Sequence, residues 1–186
     1  LQNDDSQYDD LNIPLDGFEN NVAHFYVFSH GNNGTEADMY YTAELLRYKF
    51  QKTATDQKCY ILCATSNSAD TWNGVDVGGT RLANEIEAYY QLYLSDYSKV
   101  YFSIIGHSLG GLYIRYAVSL LVNNPVFNQR LEFINLMSIS SPHLGARKPS
   151  GSAMKTLYKT AASLYMTKIL GNTGKQLNLT DTGHDN

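Results

Sequence analysis

The sequence predicts an α/β fold: a mainly parallel sheet with helices on both faces, in three layers. Three observations point to it. Four short apolar runs rich in β-branched and aromatic residues recur along the chain, helical patterns alternate with them, and one run passes straight into a glycine-rich turn and then a helix. The runs are Val22 to Phe28, Cys59 to Ala64, Val100 to Ile105 and Phe133 to Ile139. Each is too short to be a buried helix and suits a pleated, buried strand.

Between the runs the spacing predicts helices near 36–50, 80–95 and 109–123. In the first, Met39, Ala43, Leu46 and Phe50 recur every three to four residues and make one apolar face. The second is expected to start at Thr80 as N-cap, after Gly78 and Gly79, and to bury Leu82, Ile86 and Tyr89 or Tyr90. The third carries Leu112, Tyr116, Ala117, Leu120 and Leu121 on more than one side, so it should be the most buried. It stops near Asn123-Asn124-Pro125, because proline cannot continue a helix. A fourth pattern, 153–170, aligns Met154, Leu157, Ala161, Leu164 or Tyr165, and Ile169, with Lys155, Lys159 and Lys168 among its polar positions. Such a helix either covers the core or forms a cap that touches a lipid surface. Residues 1–20, with the acidic pairs Asp4-Asp5 and Asp9-Asp10, read as a solvated lead-in, and 21–186 as one domain.

A chain of 186 residues with 43% hydrophobic content buries a sizeable core in a single unit. Its 14 basic and 18 acidic residues give a net charge of −4, which leaves no electrostatic footprint for nucleic acid. Cys59 and Cys63 lie four apart in one strand, about 13 Å at the usual rise, far beyond disulfide reach. They read as buried free thiols, which favours a cytoplasmic protein. The N-x-T triplets at Asn33 and Asn178 lean weakly towards secretion. No run of about 18 apolar residues spans a bilayer. A start at Leu1 leads to the expectation that the chain derives from something longer.

Chemistry concentrates in Val100 to Leu121, where the apolar strand runs into Gly106-His107-Ser108-Leu109-Gly110-Gly111 and then a helix. G-x-S-x-G alone occurs by accident in roughly one chain in ten to twenty of this length. Between a buried strand and a well-formed helix it gains meaning: the sharp turn lifts Ser108 above the sheet, and glycine at 106 and 110 makes room. The helix N-terminus behind it offers free N–H groups and a positive dipole end for an oxyanion. After the first strand, Ser29-His30-Gly31-Asn32-Asn33-Gly34 is a flexible turn. In this architecture one oxyanion N–H comes from the residue after the nucleophile and one from such a loop, which makes Leu109 and Asn32 the candidates. Either stretch taken alone also reads as an ordinary tight turn, with Ser108 as an inert cap.

The succession VFSHGNNG, DTWNGVDVGGTRLANEI, IIGHSLGGLYIRYA and ISSPHLG resembles the putative serine esterase family of lipase-like α/β-hydrolases over about 22–180. The resemblance implies a partial α/β-hydrolase sandwich, Ser108 as nucleophile, Asn32 and Leu109 as oxyanion donors, and carboxylic esters, lipid-like, as substrates. It implies no cofactor and no metal. Asn32 departs from relatives that carry an apolar residue there, which should make the pocket mouth more polar.

A serine nucleophile needs a general base held by a carboxylate, in the order serine, acid, histidine. After Ser108 the acids are Glu132, Asp181 and Asp185, and the histidines His143 and His184. Glu132 starts a strand and belongs at the wrong end of the sheet. Asp181, His184 and Asp185 crowd together at the end. His143 follows a strand at the right edge, in a segment that the resemblance assigns to loop structure. His24 reads as a strand residue, and His30 and His107 as turn residues. The expectation is therefore a domain truncated before the strands that bear the acid and the base, inactive on its own. The rival expectation is a catalytically inactive binding or scaffold module of the same fold. Acyl transfer to something other than water is indistinguishable from hydrolysis at this level.

Overall fold

The computed structural model describes residues 21–53, 57–145 and 171–178. In chain order it contains β1 (Val22–Ser29), a 3-10 turn at Glu36–Met39 that leads into α1 (Tyr40–Thr53), β2 (Lys58–Cys63), α2 (Val75–Tyr93), β3 (Lys99–His107), α3 (Gly110–Leu121), α4 (Pro125–Arg130), β4 (Leu131–Ile139) and α5 (Gly171–Leu177). The four strands form one sheet in the order β2-β1-β3-β4, and every pair is parallel. The four expected runs are these four strands, within two or three residues at each end.

The topology follows from same-handed crossovers. From β1 the chain steps outward to β2, then returns across β1 to β3 and continues to β4. Reversing direction with one handedness puts α1 on one face and α2 and α3 on the other. Alternation along the strands fits. Ala23, Phe25 and Val27 of β1 and Val100, Phe102 and Ile104 of β3 pack with Leu82, Ile86 and Tyr90 of α2 and Tyr113, Ile114 and Ala117 of α3. Phe28, with partly buried Tyr26, Ile61, Cys63 and Ile105, packs with Met39, Ala43 and Leu46 on the α1 side.

Two expectations need correction. The second helix begins at Val75, so Thr80 is not its N-cap; its hydroxyl donates to the Asp76 carbonyl (2.8 Å) one turn back inside the helix. Gly78 and Gly79 look like helix breakers in sequence, yet they sit inside α2 because α3 presses against them. A Cβ on Gly78 would meet the Tyr113 ring at 2.3 Å, and one on Gly79 would meet Cβ of Tyr116 at 2.6 Å. The helix costs about 1 kcal/mol per glycine and recovers it through closer packing. Its N-terminus is capped from far along the chain: Thr173 Oγ1 accepts from Gly74 N–H (2.9 Å) and Gln176 Oε1 from Val75 N–H (2.5 Å). In α3 the buried side is Tyr113, Ile114, Ala117 and Leu121, whereas Tyr116 and Leu120 are exposed. The pattern 153–170 lies outside the described residues.

Cys59 and Cys63 are unpaired and half-buried rather than fully buried. Burial pushes the Cys59 thiol up to about 11. A raised thiol pKa contributes stability that is complete below the ordinary value near 9 and is lost as pH rises through 11. At pH 8 the thiolate fraction falls about 100-fold for two units, so iodoacetamide should label Cys59 about 100-fold more slowly in the folded chain than in denaturant. Equal labelling rates would contradict this environment for Cys59.

Candidate active site

Parallel sheets offer a crevice at the carboxyl ends of their strands where the strand order reverses. Here that point lies between β1 and β3, whose register pairs Ser29 with Gly106. The residues that follow each strand, Gly31 to Gly34 and His107 to Ser108, therefore emerge side by side. A cavity of about 550 Å³ opens there, lined by Gly31, Asn32, Asp38, Met39, Ser108 and Ile139 among others. Its volume lies in the range of small-molecule sites, roughly 300–1,000 Å³.

Ser108 occupies the elbow with φ 53°, in the left-handed region, and is partly exposed. Its N–H donates to the Ile139 carbonyl at 2.8 Å and its carbonyl accepts from Gly111 N–H at 3.1 Å, so both backbone groups are fixed. The turn closes only because its neighbours are glycines. A Cβ at Gly106 would meet the Gly110 carbonyl oxygen at 2.5 Å, and one at Gly110 would meet the Ser29 carbonyl oxygen at 2.3 Å. Across the crevice, a Cβ at Gly31 would lie 2.9 Å from Cβ of Ser108.

Of the two sequence-derived donors, Asn32 lines the cavity and Leu109 is the buried residue that opens α3. Among the described residues, neither backbone N–H is taken by a hydrogen bond. Asn32 is tied down by its side chain, whose Oδ1 accepts from Thr71 Oγ1 (3.0 Å), while Asn33 N–H donates to the same hydroxyl oxygen (3.1 Å). The polar side chain thus ties the loop to Thr71, in the stretch between β2 and α2. On the other side of the loop, buried His30 faces the Gly31 carbonyl through Nδ1 (3.0 Å) and Ser68 Oγ through Nε2 (3.3 Å). The carbonyl only accepts, which sets the proton on Nδ1. Ser68 Oγ donates to Glu36 Oε2 (2.8 Å) and holds that carboxyl below its usual range.

The remaining histidines and acids lie elsewhere. His143 Nδ1 is 3.1 Å from Arg115 Nη1, and Nε2 is 2.8 Å from Ser138 Oγ. Guanidinium only donates, so Nδ1 accepts and Nε2–H donates; both nitrogens are occupied away from Ser108. Glu132 pairs with Lys99 at 2.5 Å and sits opposite Tyr101, near the amino ends of the strands. His24 is a β1 residue whose Nε2 meets Gln57 Oε1 at 2.6 Å, and burial lowers its pKa. His107 lines the cavity. Asp181, His184 and Asp185 lie outside the described residues. Among those described, no side chain hydrogen-bonds Ser108 Oγ, and no cluster of three His, Cys, Asp or Glu could hold a metal ion. Also among them, no helix is long and apolar enough to cross a membrane. Thr71 and Tyr113 fall within stretches that carry the family resemblance, but the brace they form with Thr173 behind the Asn32 loop is not readable from those stretches, because it joins segments tens of residues apart.

A parallel sheet with a serine elbow at its switch point and a glycine-rich loop beside it is the architecture of the α/β-hydrolases. Residues 19–186 match the family described as "Putative serine esterase (DUF676)", and the chain belongs to that family. It is 34% identical over 161 residues to "Putative lipase YDL109C" of Saccharomyces cerevisiae, covering 86% of this chain and 23% of that protein. It is 30% identical over 158 residues to "Putative lipase ROG1" of the same yeast, covering 84% of this chain and 21% of that protein. The chain therefore spans about a fifth of the length of these curated relatives. Among solved structures, a type II thioesterase of a yersiniabactin pathway, YbtT, aligns with a TM-score of 0.39 and 17% identity, covering 86% of this chain and 61% of that one.

The left-handed backbone at Ser108 costs a non-glycine residue of order 1 kcal/mol. Ser108→Gly should therefore be about 1 kcal/mol more stable than Ser108→Ala. Denaturant midpoints of the two variants test this. Equal midpoints would mean that the elbow is unstrained.

Proposed function

We propose that Ser108 is the nucleophile of a serine hydrolase that acts on carboxylic esters, lipid-like in character, through an acyl-enzyme. The observation that supports this most is the shared cavity: Ser108, in its left-handed turn, and Asn32, with an uncommitted N–H, line the same 550 Å³ space. In this reading Ser108 Oγ attacks the ester carbonyl carbon as its proton passes to a base. The N–H groups of Asn32 and Leu109 hold the oxyanion. The carbonyl–oxygen bond to the alcohol then breaks, and the alcohol leaves with that proton. Water adds to the acyl-enzyme, the Ser108 ester bond breaks, and the carboxylic acid is released. Apolar Met39 and Ile139 in the cavity wall, and relatives named as lipases, favour an acyl chain as the occupant.

The base and its carboxylate are proposed to come from strands beyond β4. β4 leaves Ile134, Leu136, Met137 and Ile139 exposed, 41–54% each, on both faces. Parallel strands are ordinarily covered on both faces, so this edge suits a sheet that continues. The competing reading, a non-catalytic module of the same fold, is favoured by one observation: no described side chain hydrogen-bonds Ser108 Oγ.

A fluorophosphonate probe applied to the full-length protein separates the two. Labelling abolished by Ser108→Ala is expected; a folded protein that stays unlabelled at Ser108 supports the non-catalytic module. In the same full-length protein, His143→Gln should keep ester hydrolysis within about threefold, since His143 bonds Arg115 and Ser138. A drop of about 10³-fold or more would make His143 the base.

A further inference from the structure

We propose that Thr71 is a positioning residue for the oxyanion donor at Asn32, and that the Asn32–Thr71 pair is the reason an asparagine stands at that loop position. The inference rests on Ser108 as nucleophile and the Asn32 N–H as one oxyanion donor. Thr71 lies in the irregular stretch between β2 and α2 and is 1% exposed. Its hydroxyl is used in both directions: it accepts from Asn33 N–H at 3.1 Å and donates to Asn32 Oδ1 at 3.0 Å. One oxygen atom thus grips the residue that presents the donor and the residue after it. Asn33 has φ 56°, so the chain turns through a left-handed residue at the gripped point. The turn itself is closed by Gly34 N–H on the Gly31 carbonyl (3.1 Å), so what the Thr71 tie fixes is its position against the rest of the fold.

The grip matters only if Thr71 is itself immobile, and its carbonyl oxygen ensures that. It accepts from Thr173 Oγ1 at 2.7 Å and from the Tyr113 hydroxyl at 3.4 Å, both on fully buried residues. Tyr113 belongs to α3, the helix that opens with Leu109, the other donor. Thr71 therefore links the two sides of the oxyanion site through buried hydrogen bonds, which a surface loop cannot supply alone. An apolar residue at 32 has no acceptor for the Thr71 proton, and a valine at 71 has neither donor nor acceptor. Valine at 71 cuts both bonds with nearly the same volume, whereas an apolar residue at 32 cuts only the bond to Oδ1. Misplacing one preorganised donor typically lowers kcat by a large factor without weakening ground-state binding.

The test uses the full-length protein with a p-nitrophenyl butyrate assay, Ser108→Ala as control, and amide hydrogen exchange at Asn33. Thr71→Val should lower kcat about 10- to 100-fold with KM within about twofold, and should speed Asn33 exchange at least about tenfold. Thr71→Ser, which keeps the hydroxyl, should stay within about threefold in kcat and leave exchange slow. If Thr71→Val does not fold, Asn32→Leu removes the Oδ1 half of the tie and keeps Asn33 N–H on Thr71 Oγ1, so it should lower kcat by a smaller factor, at least about threefold, while Asn33 exchange stays slow; an unchanged kcat would overturn the positioning role. Faster exchange with unchanged kcat would overturn the positioning role, as would a Thr71→Ser defect equal to that of Thr71→Val. Wild-type hydrolysis no greater than that of Ser108→Ala would overturn the nucleophile reading, and the positioning role with it, while the exchange data would still report the tie itself.

Discussion

Backbone meets backbone at the top of this sheet, and most of the molecule is arranged around that contact. The first turn of α3 lies so close to the end of β1 that a single methylene on Gly110 would collide with the Ser29 and His30 carbonyls. The same turn lies against the end of its own strand at Gly106 and against the β4 exit, where a Cβ on Gly111 would meet Ser141. Three strand ends and a helix start thus converge, with glycine on the helix side against β1 and β4. Such an approach fixes the Ser108 backbone in a conformation that an isolated turn would leave. It also brings Ser108 and the loop after β1 to a single opening.

Holding that convergence requires bracing from behind, and the brace is polar. Tyr113 sits in α3 at zero exposure, its ring filling the notch left by Gly78 of α2 and its hydroxyl reaching the Thr71 carbonyl. Thr173 joins at the same carbonyl and caps α2 through Gly74. Glu85 of α2 takes Thr65 N–H (2.8 Å), Ser66 N–H (2.9 Å) and the Thr65 hydroxyl (2.9 Å), which secures the start of the irregular stretch that ends at Thr71. The bonds to the Thr71 carbonyl and from Gly74 N–H use buried backbone groups that would otherwise lack a partner, so each is more costly to lose than its modest net strength suggests. Loop position is therefore linked to helix packing, since α2, α3 and α5 all hold one end of the network.

Local patterns in the sequence reached part of this arrangement and stopped where contacts become long-range. The strands were legible because VYFSII and FINLMSI are short, largely apolar runs whose character does not depend on neighbours, and the elbow because glycine and serine at fixed spacing impose their own turn. The start of α2 was misread because Gly78-Gly79 has two meanings: a helix breaker in isolation, and a docking notch once Tyr113 and Tyr116 face it. The apolar pattern of α3 over-reported burial for the same reason, since whether Leu120 is covered depends on what lies across from it. Asn32 was legible as a loop residue and as a departure from an apolar norm. Its tie to Thr71 was not, because 39 residues and a whole strand separate the two.

The same distinction between local and long-range features bears on the chemistry of Ser108. An elbow is a local device: strand, turn and helix are contiguous, and Val100 to Leu121 carries the whole of it. An oxyanion site needs one further segment, the loop after β1, and register brings that segment alongside because β1 and β3 are neighbours. A general base needs a different kind of support, a histidine delivered from a separate strand end and oriented by a carboxylate. His143 is close in sequence to the β4 end, but its ring is already held at both nitrogens, and an imidazole fixed to a guanidinium at Nδ1 has its acceptor blocked by a cation. The acid side has the same difficulty, because Glu132 is committed to Lys99 at the far end of the strands. On the proposed reading, attack and oxyanion stabilisation draw on Ser108, Leu109 and the loop after β1, and neither His143 nor Glu132 is placed to add the proton transfer. The exposed apolar faces of β4 are where the proposed further strands would join the sheet without disturbing the elbow.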